Sequence, residues 1–454
     1  MISSIIFIVV MAVGIALFAM RIRQIRKNIL LGRDLDLSGS KSERWKTMAR
    51  VALGQSKMVK RPIAGIMHLL IYVGFIIINI EVLEIIIDGI FGTHRIFAFG
   101  GPVYDVLIAS FEFLAVGVIL SCVVFLARRY IVRIKRFFAR EMTTWPKLDA
   151  TIILVVEILL MFAFLSMNAT DVLLQQKLAA AQASGGEVSE QLSHYIQAGS
   201  FPVSEALFVP IYEGMDVSSL ILTERFMWWF HIVGILAFLV YVPYSKHFHI
   251  FLAFPNTYYS KLIPKGQFSN MDSVTSEVKL MMDPDADPYA APAEPEGDEA
   301  PGPFGAKDVQ DLNWKQLMDS YSCTECGRCT SVCPANMTGK LLSPRKIMMD
   351  TRDRLEEVGK NVQKDGSIKE DGKSLLYDHI TEEELWACTT CNACVEACPV
   401  NIDPLGIIVD LRRYLIMEES KSPEAITAMF NNVENNGAPW AFPATDRDKW
   451  RQDV

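Results

Sequence analysis

Residues 323–334 read CTECGRCTSVCP, and residues 388–399 repeat the same spacing as CTTCNACVEACP. Both follow the pattern C-x2-C-x2-C-x3-C-P, whose closely spaced thiolates are the ligands that cubane iron–sulfur clusters require. A structural zinc site favours two separate C-x2-C pairs over four cysteines within eleven residues. The repeat therefore predicts two [4Fe–4S] clusters in one domain.

The order of the cysteines also predicts which of them share a cluster. In two-cluster ferredoxins the fourth cysteine of each run binds the cluster held by the other run. The predicted ligands are Cys323, Cys326, Cys329 and Cys398 for cluster 1, and Cys388, Cys391, Cys394 and Cys333 for cluster 2. Pro334 and Pro399 turn the chain after each fourth ligand. The ninth cysteine, Cys122, lies in an apolar stretch and is expected to be an inert packing residue.

Five apolar stretches precede the cysteine repeat, and each is long enough to cross about 30 Å of hydrocarbon. They comprise residues 5–20, 63–87, 106–127, 150–167 and 226–244. The first runs directly into Arg21 and Arg23 instead of a cleavage site, which predicts a retained anchor. The expected fold class is an all-α membrane protein, with a five-helix transmembrane bundle followed by a mostly helical dicluster ferredoxin domain.

The distribution of charge predicts the orientation of this bundle. Residues 21–61 contain twelve Lys and Arg and residues 128–147 contain seven, whereas each of the other two loops contains one. Because loops rich in Lys and Arg stay in the cytoplasm, the N-terminus is predicted outside and the cysteine repeat inside. The chain is thus expected to be a multi-pass protein of a bacterial or archaeal cytoplasmic membrane.

Composition divides the chain into predicted domains. Residues 1–254 form the membrane domain, in which 168–224 are an outer loop with short helices at 173–183. Residues 255–307 are a linker, and its acidic, Pro-rich part at 283–303 cannot bury enough apolar surface to fold. The remaining predicted parts are the ferredoxin domain at 308–420 and a tail at 421–454. The part after Phe254 carries 34 acidic and 21 basic residues, which argues against nucleic-acid binding.

Four histidines lie in or beside the apolar stretches: His68, His231, His247 and His249. Polar residues inside a bilayer are costly and are often functional, although a structural role in helix packing is the alternative. On one continuous helix, His231 and His249 would share a face and lie about 27 Å apart along the axis. His68 enters the second stretch at a depth similar to that of His249, so these two predict a bis-histidine haem b site. His231 would serve a second haem, and His247 is the second choice as a ligand.

The segment from His231 through Pro243-Tyr244-Ser245-Lys246 to His249 resembles the fifth helix of nitrate-reductase gamma-subunit-like cytochromes b. Those five-helix proteins bind two haems with two histidines on helix 2 and two on helix 5. The resemblance implies that His68 is the first helix 2 ligand. Ile78 stands where the second would lie, so the resemblance implies one haem and leaves the outer one open.

Residues 385–405, LWACTTCNACVEACPVNIDPL, resemble the helical ferredoxin module of heterodisulfide reductase subunits, the iron–sulfur subunit of succinate dehydrogenase and glycolate-oxidase-type proteins. The similarity extends over residues 314–419. It implies an electron-transfer subunit of a membrane-bound, quinone-linked oxidoreductase. The alternative is a non-catalytic membrane anchor or a redox-sensing iron–sulfur protein.

The sequence lacks a dinucleotide-binding glycine motif, a phosphate-binding loop and the adjacent Cys-Cys pairs of a heterodisulfide-reductase catalytic module. We therefore expect a separate cytoplasmic partner, either a cysteine-pair iron–sulfur subunit or an electron-transfer flavoprotein. It would dock on the tail near Trp440 and Trp450. Four intramembrane carboxylates would either exchange protons with the quinone or pair with polar neighbours: Glu81, Glu84, Glu112 and Glu157.

Overall fold

The computed structural model describes residues 2–35, 37, 39–185, 188–264, 266–284, 303–446 and 448–451. The chain divides into two compact units. The first comprises Met1–Arg26, Lys41–Tyr258 and Tyr321–Gly327. The second comprises Lys27–Ser40, Tyr259–Ser320 and Arg328–Val454. Throughout the described residues the regular elements are helices, and none is a β-strand, so the predicted all-α fold class is confirmed.

The helices of the membrane region follow in chain order: α1 (Ile2–Ile29), α2 (Lys41–Met48), α3 (Pro62–Phe91), α4 (Pro102–Tyr130), α5 (Thr144–Ala183), α6 (Val209–Tyr212), α7 (Val217–Tyr241) and α8 (His249–Tyr258). Among the described residues, the helices long and apolar enough to cross a membrane are five: α1, α3, α4, α5 and α7. They coincide with the five predicted stretches and extend beyond most of them. Side chains of α3, α4, α5 and α7 form the buried core of this bundle, joined by Phe7 from α1.

The predicted start of the outer loop at residue 168 is wrong, because α5 continues as one helix to Ala183. Residues 168–184 contain neither glycine nor proline and are rich in leucine, alanine and glutamine, which favour helix. The next transmembrane helix also begins earlier than expected. Asp216 accepts hydrogen bonds from the backbone N–H groups of Ser218 and Ser219 and so caps α7 at Val217.

The predicted continuous helix from His231 to His249 is also wrong. The chain leaves α7 at Tyr241 and passes through two 3₁₀ turns before α8 starts at His249. Pro243 has no N–H to donate, and Ser245 is extended with φ −119° and ψ 163°. His231 and His249 therefore belong to different helices, and the expected common face does not exist.

The remaining helices are α9 (Asp272–Met282), α10 (Trp314–Ser322), α11 (Pro334–Met337), α12 (Pro344–Asp365), α13 (Glu382–Trp386), α14 (Ala393–Ala397), α15 (Pro404–Met417) and α16 (Glu424–Asn436). They include the mostly helical dicluster region that the sequence predicted. Helix α9 lies inside the predicted linker, and residues 285–302 of that linker are outside the described residues. The predicted tail contains α16.

A buried arginine fixes the core of the second unit. Arg354 on α12 has a side chain 3% exposed and donates to Asp308 at 2.7 Å and to Asp371 at 2.7 Å. Asp308 also accepts from the backbone N–H of Leu375 at 3.0 Å. These bonds connect α12 to the segments that precede and follow it, over 46 and 17 residues of sequence.

Candidate electron-transfer sites

The two cysteine loops share a pattern of backbone conformation. In the first loop Glu325 and Gly327 have φ of 53° and 69°, and in the second loop Thr390 and Asn392 have φ of 55° and 59°. These residues occupy equivalent positions, directly before and after the second cysteine of each motif. A positive φ costs residues other than glycine about 1–3 kcal/mol and persists where the surrounding structure requires it. The repeated conformation indicates that both loops are shaped for the same ligand.

The four cysteines predicted for cluster 2 line one cavity in the second unit. Cys333, Cys388, Cys391 and Cys394 share it with apolar side chains that include Leu405 and Ile408. Within the described residues, no three His, Cys, Asp or Glu side chains converge on a single ion. A cavity lined by four separated thiols suits a multi-iron cluster better than one metal ion.

The environment of these thiols favours binding to a cationic metal centre. Burial raises the pKa of the Cys394 thiol and of the Cys388 thiol. A buried thiolate therefore needs compensating positive charge, which iron supplies. Backbone N–H groups also point at sulfur, from Thr390 to Cys388 Sγ at 3.4 Å and from Ile402 to Cys398 Sγ at 3.3 Å.

Cys323 and Cys326, predicted for cluster 1, belong to the first unit, whereas Cys329 and Cys398 belong to the second. The predicted grouping of these four ligands stays a prediction. Cys122 is fully buried on α4 in the core of the bundle.

Three of the predicted haem histidines lie together in the first unit. The rings of His68 and His249 have centroids 6.3 Å apart, and those of His247 and His249 are 5.7 Å apart. The Nδ1–H of His249 donates to the carbonyl oxygen of Lys246 at 2.9 Å, which leaves Nε2 to bind a metal. Burial lowers the pKa of His247 to about 3 and also lowers that of His249, so both rings are neutral, as metal ligands must be.

His231 lies in a different environment, in the buried core of the bundle. Its Nδ1–H donates to the carbonyl oxygen of Leu160 on α5 at 2.9 Å, and its ring lies 6.0 Å from that of Phe164. Ile78, at the position where the resemblance expects a ligand, is itself buried in the core. His231 thus presents Nε2 for binding, and the second ligand of an outer haem stays unidentified.

Lys246 connects the histidine cluster to the first cysteine loop within the first unit. Its side chain is 9% exposed, and its Nζ contacts Glu325 Oε2 at 2.5 Å. Its carbonyl oxygen accepts the bond from His249, and its backbone N–H donates to Asp149 at 3.0 Å. Arg136 adds a second connection by donating to the carbonyl oxygen of Cys326 at 2.9 Å. The sequence contains the pattern Tyr-Ser-Lys close to His249 but no signal that Lys246 reaches residue 325.

A second polar site lies at the end of the bundle where α1 begins and α3 ends. Arg95 donates to Asp171 at 2.6 Å and to Asn168 at 2.9 Å, and Asn168 in turn donates to Glu112 at 3.2 Å. Glu84 accepts from the Tyr104 hydroxyl at 2.9 Å. Polar pairing, one of the two interpretations of these carboxylates, therefore describes Glu84 and Glu112. No sequence pattern singled out Arg95 or Asp171 for this site.

Glu81 differs from these paired carboxylates. It is 2% exposed and faces a cavity of about 390 Å³ that is also lined by His94, Arg95, Asp171 and Trp228. Its Oε1 lies 3.9 Å from Arg95, and its Oε2 has no hydrogen-bond partner in the described part of the chain. The volume is in the range of small-molecule sites, and Oε2 can accept a hydrogen bond from a ligand.

The sequence of the cysteine region decides its type. Residues 322–402 match the 4Fe-4S dicluster domain. This dicluster domain supports two [4Fe–4S] clusters, as the repeat predicted. The same region is 32% identical to a subunit of the ferredoxin/F(420)H(2)-dependent CoB-CoM heterodisulfide reductase of Methanosarcina acetivorans, over 24% of this chain and 53% of the relative. The predicted resemblance of the dicluster domain to heterodisulfide reductase subunits is confirmed.

Two relatives extend over most of the chain. The chain is 28% identical, over its full length, to the probable iron-sulfur-binding oxidoreductase FadF of Bacillus subtilis, and covers 61% of that protein. It is 26% identical, over 88% of its length, to the EtfAB:quinone oxidoreductase of Syntrophomonas wolfei, and covers 52% of it. The chain thus spans between half and two thirds of the length of these relatives. No solved structure matches it. The relatives support iron–sulfur electron transfer, and the resemblance to nitrate-reductase gamma subunits stays a prediction.

Proposed function

We propose that this chain is the electron-transfer subunit of a membrane-bound oxidoreductase that passes electrons between a quinone pool and a cytoplasmic partner. The basic loops support an orientation with the N-terminus outside and the dicluster domain in the cytoplasm. The membrane would be the cytoplasmic membrane of a bacterium or archaeon. The chain would thus act as one subunit of an enzyme complex.

The observation that carries this proposal is the path from His249 through Lys246 to Glu325 in the first unit. One residue accepts the hydrogen bond of a candidate haem ligand with its backbone and holds a cysteine loop with its side chain. A membrane anchor without electron transfer would have no need of this juxtaposition.

The histidine geometry supports a b-type haem. With metal–nitrogen bonds of about 2 Å on each side and the half-width of each ring, two imidazoles that share an iron have centroids about 6 Å apart. The observed 6.3 Å between His68 and His249 agrees. His249 is oriented by Lys246 in the way that ligand histidines usually are. We therefore assign the haem ligands as His68 and His249, with His247 beside them.

Haem and the two clusters, when bound, supply one-electron carriers. The chain's own residues set where these carriers lie: Lys246 and Arg136 hold the first cysteine loop, and the second loop is shaped by its own positive-φ residues. The four-cysteine cavity supports the proposed ligand set of cluster 2.

We place the quinone headgroup in the cavity beside Glu81. A hydroquinone hydroxyl can donate to the Oε2 atom of Glu81, and Trp228 offers an aromatic side chain to the ring. Trp228 lies about one turn from His231 on α7. A second haem on His231 would therefore lie near the cavity, between the quinone and the His68–His249 site.

The partner is proposed to dock on the tail. Helix α16 exposes Met429, Phe430 and Val433, and Trp440 and Trp450 beyond it are 41% and 68% exposed. Aromatic residues of this kind are typical interface anchors. The names of the relatives favour a cysteine-pair iron–sulfur subunit or an electron-transfer flavoprotein as the partner.

A quinol titration tests the proposal. The full chain is prepared anaerobically, reconstituted in lipid and mixed with a menaquinol analogue while haem is followed by visible spectroscopy and the clusters by electron paramagnetic resonance. We expect both signals to report reduction, and dithionite serves as the control for reducible centres. Clusters that dithionite reduces but quinol never does would favour the alternative, a membrane anchor or redox sensor.

A further inference from the structure

Glu325 stands at an unusual place for a carboxylate. It directly precedes Cys326, is 4% exposed and has φ 53°. Thr390 occupies the equivalent position of the second motif with φ 55°. Because threonine supports the same backbone conformation, the loop does not need a glutamate to fold. The carboxylate is therefore an electrostatic difference between two otherwise matching loops.

That carboxylate adds negative charge where negative charge is already concentrated. Thiolate ligands make an iron–sulfur site anionic, and reduction adds one more negative charge. Net charge around a cluster is one of the factors that set its potential. In a buried setting a carboxylate without a nearby cation would act at low effective dielectric and disfavour reduction.

Lys246 offsets this charge from outside the loop. Its Nζ contacts Glu325 Oε2 at 2.5 Å, and a further bond to the carbonyl oxygen of Pro146 at 2.5 Å fixes its position. The side chains of Lys246 and Glu325 are 9% and 3% exposed, so the pair is screened little by solvent.

We propose that the Lys246–Glu325 pair is a positioning and tuning device, which fixes the first cysteine loop beside His249 and sets the reduction potential of the cluster on that loop. The inference rests on the proposed function only in requiring a bound cluster. It gives the two clusters different potentials, because the second loop carries Thr390 at the position of the carboxylate.

Three substitutions make distinct predictions. Glu325→Gln removes the negative charge, keeps a hydrogen-bonding side chain and should raise the potential of the first-loop cluster. Lys246→Met removes the cation that faces the carboxylate and should lower that potential. The double variant Lys246→Met/Glu325→Gln should return close to the wild-type value. We expect each single change to alter the reduction equilibrium at least about tenfold, which is about 59 mV for a one-electron couple.

The measurement is a mediator-based redox titration of the anaerobically purified full chain, monitored by electron paramagnetic resonance, with iron and sulfide analysis of every variant. Lys246→Arg keeps the charge and should preserve the potential. Lys147→Met is the matched control, since Lys147 lies over the rings of Tyr130 and Phe138 in the same unit. It should move neither cluster, and the second-loop cluster should stay constant throughout.

Two results would overturn the inference: loaded Glu325→Gln and Lys246→Met variants whose potentials do not move, or potentials that move in the same direction. If Lys246→Met alone loses its cluster, the comparison of Glu325→Gln with wild type decides. Chemical mediators replace quinol here, so the pair is tested even in a chain that never accepts electrons from quinol, a result that would refute only the proposed function.

Discussion

The imidazole rings of His68 and His249 lie next to each other with centroids 6.3 Å apart, although 181 residues separate them in the chain. One ring comes from the first turns of α3 and the other from the first residue of α8. The break of helix at Pro243 and Ser245 makes this approach possible, because α7 and α8 then run in independent directions.

Replacing either ring of this pair should abolish the low-spin haem signal. His68→Ala and His249→Ala each remove one of two axial ligands, so we expect loss of the bis-histidine spectrum in both. His247→Ala is the matched control in the same cluster and should keep that spectrum. A pyridine haemochrome assay and the visible spectrum of purified protein make the measurement. Loss in His247→Ala with retention in His249→Ala would reverse the ligand assignment.

Removing a ligand of the second loop should cost one cluster. Cys391→Ser takes one thiolate from the four-cysteine cavity, and we expect iron and acid-labile sulfide to fall to about half of the wild-type content. Cys122→Ser, which changes a buried cysteine of the helical bundle, should leave both values unchanged. Full iron content in Cys391→Ser would exclude this residue from the ligand set.

The cavity beside Glu81 should matter for quinol and not for dithionite. Glu81→Gln keeps the size of the side chain but removes the carboxylate as a proton acceptor, so quinol-driven reduction should slow about 10²-fold or more, the lower range for general base catalysis. Reduction by dithionite should be unaffected. Glu157→Gln changes an intramembrane carboxylate outside the cavity lining and is the control. Equal quinol rates in Glu81→Gln and wild type would remove the quinone from this cavity.

The second unit should depend strongly on Arg354. Arg354→Met leaves Asp308 buried and without this cation, a loss that typically costs about 3–5 kcal/mol. Arg352→Met lies two residues away on α12, where the paired Asp353 is largely exposed, and should cost less than about 1 kcal/mol. Thermal unfolding of the cluster-loaded protein, followed by loss of cluster absorbance, compares the two. Similar midpoints for both variants would contradict the structural role of the buried network.

The sequence by itself determined the features that depend on short stretches of chain. Apolar runs of membrane length specify the five helices, because each hydrogen-bonds within itself. The cysteine spacing specifies two clusters, because ligands three residues apart can reach one metal centre. It also predicted most helices of the dicluster domain, where the apolar pattern and the capping residues lie close together.

Only the tertiary structure decided which distant residues meet. Counting turns placed His231 and His249 on one face, and the break after Tyr241 overrode that count. The contacts from Lys246 to Glu325, from Arg95 to Asp171 and from Arg354 to Asp308 each join elements far apart in sequence. No local pattern encodes such pairs, because burial and the directions of helices fix them once the whole chain has packed.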